Sequence, residues 1–496
     1  MMQALTLALL PEAIEDAANL TLEQARRQAR TPLTSVQRAA RDMYQGDHLG
    51  SLSTHGQYAY WRGPVFTLDD TQGDNKEASA FVRDFRNALQ RSFTSTNFIH
   101  ELLEREVGVS IARMTWDQLP AEQAALLELW WKLDSTRVEH VIREAITTAR
   151  REGRGVLRFR VAAPKVAPTT PEAAARFIRL ETLPPESARV VEHPDTLERV
   201  GLYAYTWQNI DAAEISALDD QGRTVLRVLR GNQPVDAGTP FDLGGRLTLI
   251  EVTLPALITE QILQNQMGYN TVATLALRNT ELAGFVERFG IGIEPPYILE
   301  DDPQHPGQKV RKYLPVKVGG GRMNLWARST YDKTDAKGNY LGEEPTPGGG
   351  EYGRLEPTSA EPLMSAAEMF RRNIYGEAGQ MFVLMNSSGD VSGRSREIAM
   401  SDFDARREVV RDAARYLITE VAETALALMY ALSGKSRPAV QVVGQVQGRA
   451  IPQSAEERAA DLGDLAVGVM TAGEVRARRG LDELPSSTGP PETPPG

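Results

Sequence analysis

The chain has 496 residues, of which 41% are hydrophobic and 24% charged, and its formal net charge is −11. This composition is typical of a globular protein, and the length suggests about two to four domains. The negative charge argues against an open surface that binds duplex DNA without sequence preference, because such surfaces are basic. The chain has no cysteine, which excludes disulfides, thiolate metal sites and cysteine nucleophiles.

The N-terminal 20 residues contain a short apolar run but no basic region ahead of it. We therefore expect no signal peptide there. No apolar run approaches the length that spans a bilayer, so we expect an intracellular protein that makes no membrane contact.

The first 160 residues are predicted to be mainly helical, because apolar residues recur at helical spacing. The segments that carry this pattern are 35–46, 78–93, 121–133 and 135–153. In the last of them we predict Ser135 as the N-cap and Gly153 as the end. Its buried stripe is predicted to be Val138, Val141, Ile142 and Ala145. Trp130 and Trp131 stand beside leucines and are predicted to be core residues.

Residues 155–253 change in character, and short runs alternate apolar and polar side chains with period two. Turn residues rich in proline, aspartate and glycine separate the runs. This segment is predicted to be an antiparallel β unit with one proline-rich excursion at 164–171.

Helical spacing returns over 255–290, as one helix or as two that meet near Gly268. Pro255 would suit the first helical turn. The stripe of this helix is diluted with glutamine, asparagine and threonine, which indicates packing against neighbours or water. Residues 291–357 show loop and strand patterns, which suggest a protruding β module.

The last third of the chain is predicted to form helices over 360–375 and 401–434, followed by a strand and a pair of helices. The stripe predicted for the helix over 401–434 consists of Val409, Val410, Ala413, Ala414, Leu417, Val421, Ala425 and Leu428. Small, polar residues precede this helix in "NSSGDVSGRSREIAMSDFDA" (386–405). The final "PSSTGPPETPPG" is predicted to be a disordered tail.

No motif of catalysis is legible in the sequence. The six histidines, which we predict to be surface or interface residues, show no metal-ligand spacing. "SGKS" (433–436) lacks the first glycine of a phosphate-binding loop and is better interpreted as a helix end at Gly434. The glycine runs at 319–322 and 348–350 are interpreted as turns.

Two groups of charged residues allow a second interpretation besides a structural one. Glu300, Asp301 and Asp302 could bind a divalent ion, although a solvated loop is the favoured interpretation. A basic helix end could contact nucleic acid, although cations there also suit the helix dipole. The residues of that basic end are Arg143, Arg150, Arg151 and Arg154.

The order of these parts resembles the portal proteins of tailed bacteriophages. "YQGDHLG" (44–50) is similar to a turn after the first helix of many portals, and "NFIHELLEREVG" (97–108) to an early wing helix. The stretch 180–207 is similar to a wing hairpin, and "MTAGEVRARRGLDE" (470–483) to a short C-terminal helix. The segment at 386–405, a flexible loop that runs into a long helix, carries the strongest similarity.

The resemblance implies an α+β, portal-like, ring-forming fold with a helical stem and crown, a mixed α/β wing and a small β-rich clip. The implied parts are a helical segment and wing at 1–254, a stem helix at 255–290, a clip with its return at 291–357, wing helices at 358–433, a crown at 434–484 and a tail at 485–496. Portals usually return from the clip through a second stem helix, and the sequence shows no clear helix between 296 and 358.

Two sets of site residues follow from the resemblance. A tunnel loop near 383–396 would face DNA in the channel through Asn386, Ser387, Ser388, Asp390, Ser392, Arg394 and Arg396. The clip would face the packaging motor through Glu294, Tyr297, Lys309, Arg311 and Lys312. The resemblance implies no catalytic residue, metal or cofactor, and so no enzyme.

The resemblance also implies partners and a location. The protein would form a ring of about twelve subunits at one capsid vertex, assembled in the host cytoplasm. Double-stranded DNA would pass through it during packaging and ejection. Its protein partners would be the terminase large subunit, the major capsid and scaffolding proteins and a head-tail adaptor. The alternatives are another head-assembly or adaptor protein, a metal-dependent nucleic-acid enzyme that uses Glu300 to Asp302, and a bacterial scaffold protein.

Overall fold

The computed structural model is a mixed α+β protein with several small sheets. It describes residues 20–53, 57–63, 87, 89–162, 166–192, 197–231, 233–236, 240–283, 287–291, 293–294, 297–301, 309–313, 327–328, 330–337, 340–345, 351–355, 359–385, 393–448, 463, 465–468 and 471. The chain divides into two compact units. The first comprises Met1–Ser51, Asn97–Gln266 and Arg371–Gly496, and the second comprises Leu52–Thr96 and Met267–Phe370.

The helices in chain order are α1 (Leu22–Ala29), α2 (Ser35–Tyr44), α3 (Phe98–Ser110), α4 (Ala121–Trp131), α5 (Val138–Glu152), α6 (Pro171–Ala175), α7 (Glu260–Ala283), α8 (Glu361–Glu377), α9 (Phe382–Met385) and α10 (Gly393–Leu432). Threonine begins both of the first two helices. Thr21 and Thr34 each accept a hydrogen bond from a backbone N–H of the first turn, and a glutamine completes a capping box in each case.

The first unit contains strands β1 (Arg113–Asp117), β2 (Arg154–Val161), β3 (Ile178–Leu183), β4 (Ala188–Glu192), β5 (Arg199–Trp207), β6 (Ile210–Leu218), β7 (Thr224–Arg230), β8 (Gln233–Asp236), β9 (Leu249–Thr253) and β18 (Val443–Gln447). They form a three-stranded sheet in the order β3-β2-β9, a five-stranded sheet in the order β4-β5-β6-β7-β8, and the pair β1-β18. Every pairing is antiparallel. The prediction of an antiparallel β unit over 155–253 is confirmed.

The main core of the first unit surrounds the second half of α10. From Val421 to Met429 the apolar residues of this helix are all buried, on every side, which marks it as a central helix. The predicted stripe of α5 and the tryptophan pair Trp130 and Trp131 pack into the same cluster. Both predictions are confirmed. Gly155 lets β2 approach α5 closely, because a Cβ atom there would lie 2.1 Å from the carbonyl oxygen of Ala145.

The second unit contains part of α7 and the β module, which we call the β arm (residues 287–355). Its strands are β10 (Glu287–Ile291), β11 (Ile293–Glu294), β12 (Tyr297–Asp301), β13 (Lys309–Tyr313), β14 (Ala327–Arg328), β15 (Thr330–Thr334), β16 (Tyr340–Pro345) and β17 (Glu351–Leu355). They pair as four antiparallel two-stranded ladders, β10-β17, β11-β14, β12-β13 and β15-β16. The first strand of the arm therefore pairs with the last.

The helix predicted over 255–290 is one helix but shorter at both ends. It begins at Glu260 because the hydroxyl of Thr259 accepts from the N–H of Ile262 at 3.2 Å, so the prediction that Pro255 lies in the first turn is wrong. Gly268 does not break it. The ring of Phe370 lies where a Cβ atom would be, at 2.7 Å, and this explains the glycine.

Three further local predictions are wrong. Helix α5 begins at Val138 with Arg137 as its N-cap, because residues before it form a turn in which the N–H of Thr136 donates to Leu133; Ser135 is not the cap. Val409 is 42% exposed, since neighbouring helical residues point about 100° apart and Val410 takes the buried position. His48, which we predict to be a surface or interface residue, is buried within the first unit.

Two predicted helix ends are confirmed. Gly153 ends α5 in the left-handed conformation, with φ of 85°. Gly434 has φ of 69° and its N–H donates to Ala431, while the N–H of Lys435 donates to Tyr430. The "SGKS" motif is therefore the end of a helix.

Candidate functional site

The segment predicted as a tunnel loop is partly helical. Helix α9 covers Phe382–Met385 and α10 begins at Gly393. Arg394 and Arg396 therefore belong to a helix rather than to a loop. The other predicted loop residues, Asn386, Ser387, Ser388, Asp390 and Ser392, lie outside the described residues.

A small aromatic cluster packs α9 against α10. The rings of Phe382 and Phe403 lie 5.0 Å apart, and Val109 and Met400 pack against them. Both phenylalanines are buried. Packing therefore fixes α9 against α10 at Phe403, which lies about 15 Å along the helix from Gly393.

Polar contacts fix the same region. The buried amide of Gln380 donates to the carbonyl oxygen of Leu102 at 2.9 Å and accepts from the Arg105 guanidinium at 3.0 Å. Arg407 donates to Asp404 at 2.6 Å and to the carbonyl oxygen of Val109 at 3.2 Å. These bonds tie the segment to α3.

The predicted clip residues lie in the β arm, and the structure joins some of them. Arg311 stacks over the ring of Tyr297 at 4.9 Å and donates to the Thr330 hydroxyl at 3.1 Å. Arg311 thus links β13 to β12 and to β15. Lys312 donates to Glu300 at 2.8 Å, so this carboxylate has a cationic partner.

The remaining clip residues are placed by strand register alone. Lys309 is opposite Asp301, and Glu294 is opposite Ala327. Asp302 lies outside the described residues. Within the part of the chain that the structure describes, no three metal-ligating side chains form a group.

The basic end of α5 is part of the interior. Arg150 makes two 2.8 Å hydrogen bonds to the buried carboxylate of Glu106, and it also donates to the carbonyl oxygen of Pro255. Arg151 stacks over the ring of Tyr44 at 4.8 Å. Arg143 donates to the backbone oxygens of residues 111 and 112. Their contacts give these arginines a structural role.

Further buried ion pairs connect elements that are distant in the sequence. Arg41 bridges Glu152 and Glu186, and hydrogen bonding from Arg41 lowers the pKa of Glu186. Arg158 pairs with Glu214 between the two main sheets, and burial raises the pKa of Glu214 despite that partner. None of these pairs was predicted from the sequence.

One of the buried pairs, that of Glu106 with Arg150, leaves a recognisable pattern in the sequence. Glu106 lies at helical spacing from Leu102, Leu103 and Ser110, inside the apolar stripe of α3. A carboxylate in such a stripe requires a cationic partner when it is buried. The pattern identifies the need for a partner but not which residue supplies it.

A cleft of about 460 Å³ opens in the first unit between the start of β5, the end of β6, the segment before β9, and α10. Leucine and isoleucine side chains form part of its lining, and charged residues, glycines and a tyrosine form the rest. Its lining includes Leu197, Glu198, Arg199, Leu218, Arg246, Leu249, Tyr416 and Glu420. Burial lowers the pKa of Arg246, which lies 3.6 Å from Glu420 and also pairs with Glu423.

Comparison with the models of known protein families gives no match, and no curated protein matches the chain at a significant level. In the described part of the chain, no helix combines the length and apolar character needed to cross a membrane. The protein is described by its fold as a mixed α+β protein, with a long helix in the core of the first unit and a β arm in the second.

Proposed function

We propose that the protein is a portal protein, which forms a ring at one capsid vertex and provides the channel for DNA. In this proposal the ring is the passage for packaging and ejection. It also docks the terminase large subunit and, later, the head-tail adaptor. The major capsid and scaffolding proteins are its further partners.

The observation that carries the proposal is the construction of the β arm. Its described strands pair only two by two, and no described side chain of the arm is buried. Two-stranded ladders are marginally stable in water by themselves, and their open edges favour pairing with other chains. An arm of this kind suits a protein that works in an assembly.

The residues of the arm also suit a docking surface. Aromatic and aliphatic side chains are exposed beside ion pairs, as Ile298, Tyr313 and Leu341 are. Arginine stacked on tyrosine, as Arg311 is on Tyr297, is common where proteins bind each other. This supports the clip role proposed for the arm, in which it faces the motor.

The connection between α9 and α10 supports the channel role. Its sequence is small, polar and mixed in charge. Such a segment does not hold one phosphate tightly. The net charge of −11 fits a channel wall that lets DNA slide, since like charges repel phosphate.

A packaging assay tests the proposal. Removal of Ser387 to Ser392 should leave the ring intact in micrographs, because the Phe382–Phe403 cluster remains, while DNA packaging or retention falls. Rings that package and retain DNA as well as the native protein does would refute the role of this segment.

A further inference from the structure

The hairpin β5-β6 ends in an exposed apolar tip, residues 207–210. Trp207 is 44% exposed and Ile210 is 48% exposed, and they are directly opposite each other in the ladder. Gln208 and Asn209 between them have φ of 47° and 64°, the conformation of a tight two-residue turn. The tip is therefore a rigid apolar knob.

Charged side chains frame this tip. The Arg230 guanidinium lies 5.0 Å from the centre of the Trp207 ring, which holds the indole in one orientation. Asp211 pairs with Arg26, yet 62% of its side chain is exposed. The knob therefore presents an indole and an isoleucine between a cation and an anion, a composition found in the centres of protein interfaces.

The cleft lies at the other end of the same hairpin. Arg199 begins β5 and Leu218 ends β6, and both line the cleft. Eight residue steps along β6 place Leu218 roughly 26 Å from Ile210. One hairpin thus carries the apolar knob at one end and borders the cleft at the other.

The cleft is a suitable receptor for such a knob. A cleft of about 460 Å³ is in the range that accepts a bound group. Its lining is partly apolar and partly polar, and Leu197, Leu218 and Tyr416 there remain 67%, 37% and 40% exposed. Glu420, which lies 3.6 Å from Arg246, is opposite in sign to the Arg230 cation of a knob, and Arg199 at the cleft is opposite in sign to Asp211.

We propose that the tip of one subunit inserts into the cleft of the next copy of the chain. A knob and a cleft on different patches of one subunit make a heterologous contact, which generates a ring when the rotation closes. This inference rests on the proposed ring assembly and specifies one of its contacts. The partner is a second copy, because the knob and the cleft are present together in every subunit.

Engineered disulfides test the contact directly, because the native chain has no cysteine. The variant carries Asn209→Cys and Leu218→Cys. Within one chain these positions are roughly 26 Å apart, and a disulfide requires Cα atoms within about 7 Å. Any disulfide in this variant therefore joins two chains.

Oxidation of the double variant should give a ladder of dimers, trimers and longer covalent chains on a non-reducing gel, and each single-cysteine variant should give none. An absent ladder, or a product that stops at dimers, would overturn the inference. Micrographs of the same sample show, independently of the gel, whether rings form. Rings without a ladder would leave the proposed function standing and refute only this contact.

A substitution provides a second measurement. Trp207→Ala should raise the protein concentration needed for assembly by about 30-fold, the effect expected of a central interface residue. Leu129→Ala is the control, because Leu129 is 47% exposed on α4 and lies outside the knob and the cleft. If Trp207→Ala assembled at the same protein concentration as the native protein, the proposal would be contradicted.

Discussion

Replacement of Arg150 by methionine should strongly destabilise the first unit. The side chains of Arg150 and Glu106 are 7% and 1% exposed, and two hydrogen bonds of 2.8 Å join them. Arg150→Met leaves the Glu106 carboxylate buried without its cation. Breaking a buried pair in this way costs about 3–5 kcal/mol.

The double variant Glu106→Leu, Arg150→Met separates the cost of the unpaired charge from the value of the pair. Replacement of both partners by apolar residues is often neutral. The Pro255 carbonyl oxygen still loses its donor, which costs about 1–3 kcal/mol. We therefore expect the double variant to be more stable than Arg150→Met alone.

Urea unfolding, followed by tryptophan fluorescence, measures this effect, because Trp130 and Trp131 lie in the same core as α5. Lys132→Met is the control, since its ion pair with Glu128 is exposed, and should not change the midpoint. If Arg150→Met cost less than about 1 kcal/mol, or if the two substitutions were additive, the argument from an uncompensated buried charge would be refuted.

Two further predictions concern packing and pH. Gly155→Ala should lower the free energy of unfolding by about 1–3 kcal/mol or more, because the new Cβ atom meets the Ala145 oxygen. Gly108→Ala in α3 is the control, since it places its Cβ atom in open space and should not destabilise the protein. Urea unfolding of both variants checks this, and equal stability of the two would contradict it. The lowered pKa of Glu186 means that its pair with Arg41 stabilises the fold above about pH 4.3, and that this contribution is lost as the pH falls through the lowered pKa. The stability difference between the native protein and Glu186→Gln should therefore shrink on acidification, and a constant difference from pH 7 to 3 would refute the assignment.

Elements whose form depends on neighbouring residues in the chain were predicted correctly from the sequence. The stripe of α5, the alternation over 155–253 and the glycines at 153 and 434 follow from periodicity and backbone conformation. The predicted start of α7 was wrong because Thr259 caps the helix, while Pro255 lies before it and accepts a hydrogen bond from Arg150, a contact across 105 residues. No local pattern contains that partner.

The candidate sites were predictable only in part, for the same reason. The position of a β arm could be predicted from composition, but the pairing of β10 with β17 joins residues that are about 60 positions apart. Arg394 and Arg396 were assigned to a loop because glycine and serine precede them, yet the helix begins at Gly393. The cleft and the exposed tip depend on which strand ends meet in space, which the sequence analysis did not reveal.

Electron microscopy of the purified protein, in negative stain, tests the central claim most directly. The proposal predicts closed rings of about twelve subunits around a central hole. A chain that remains monomeric at micromolar concentration in low and high salt would contradict it.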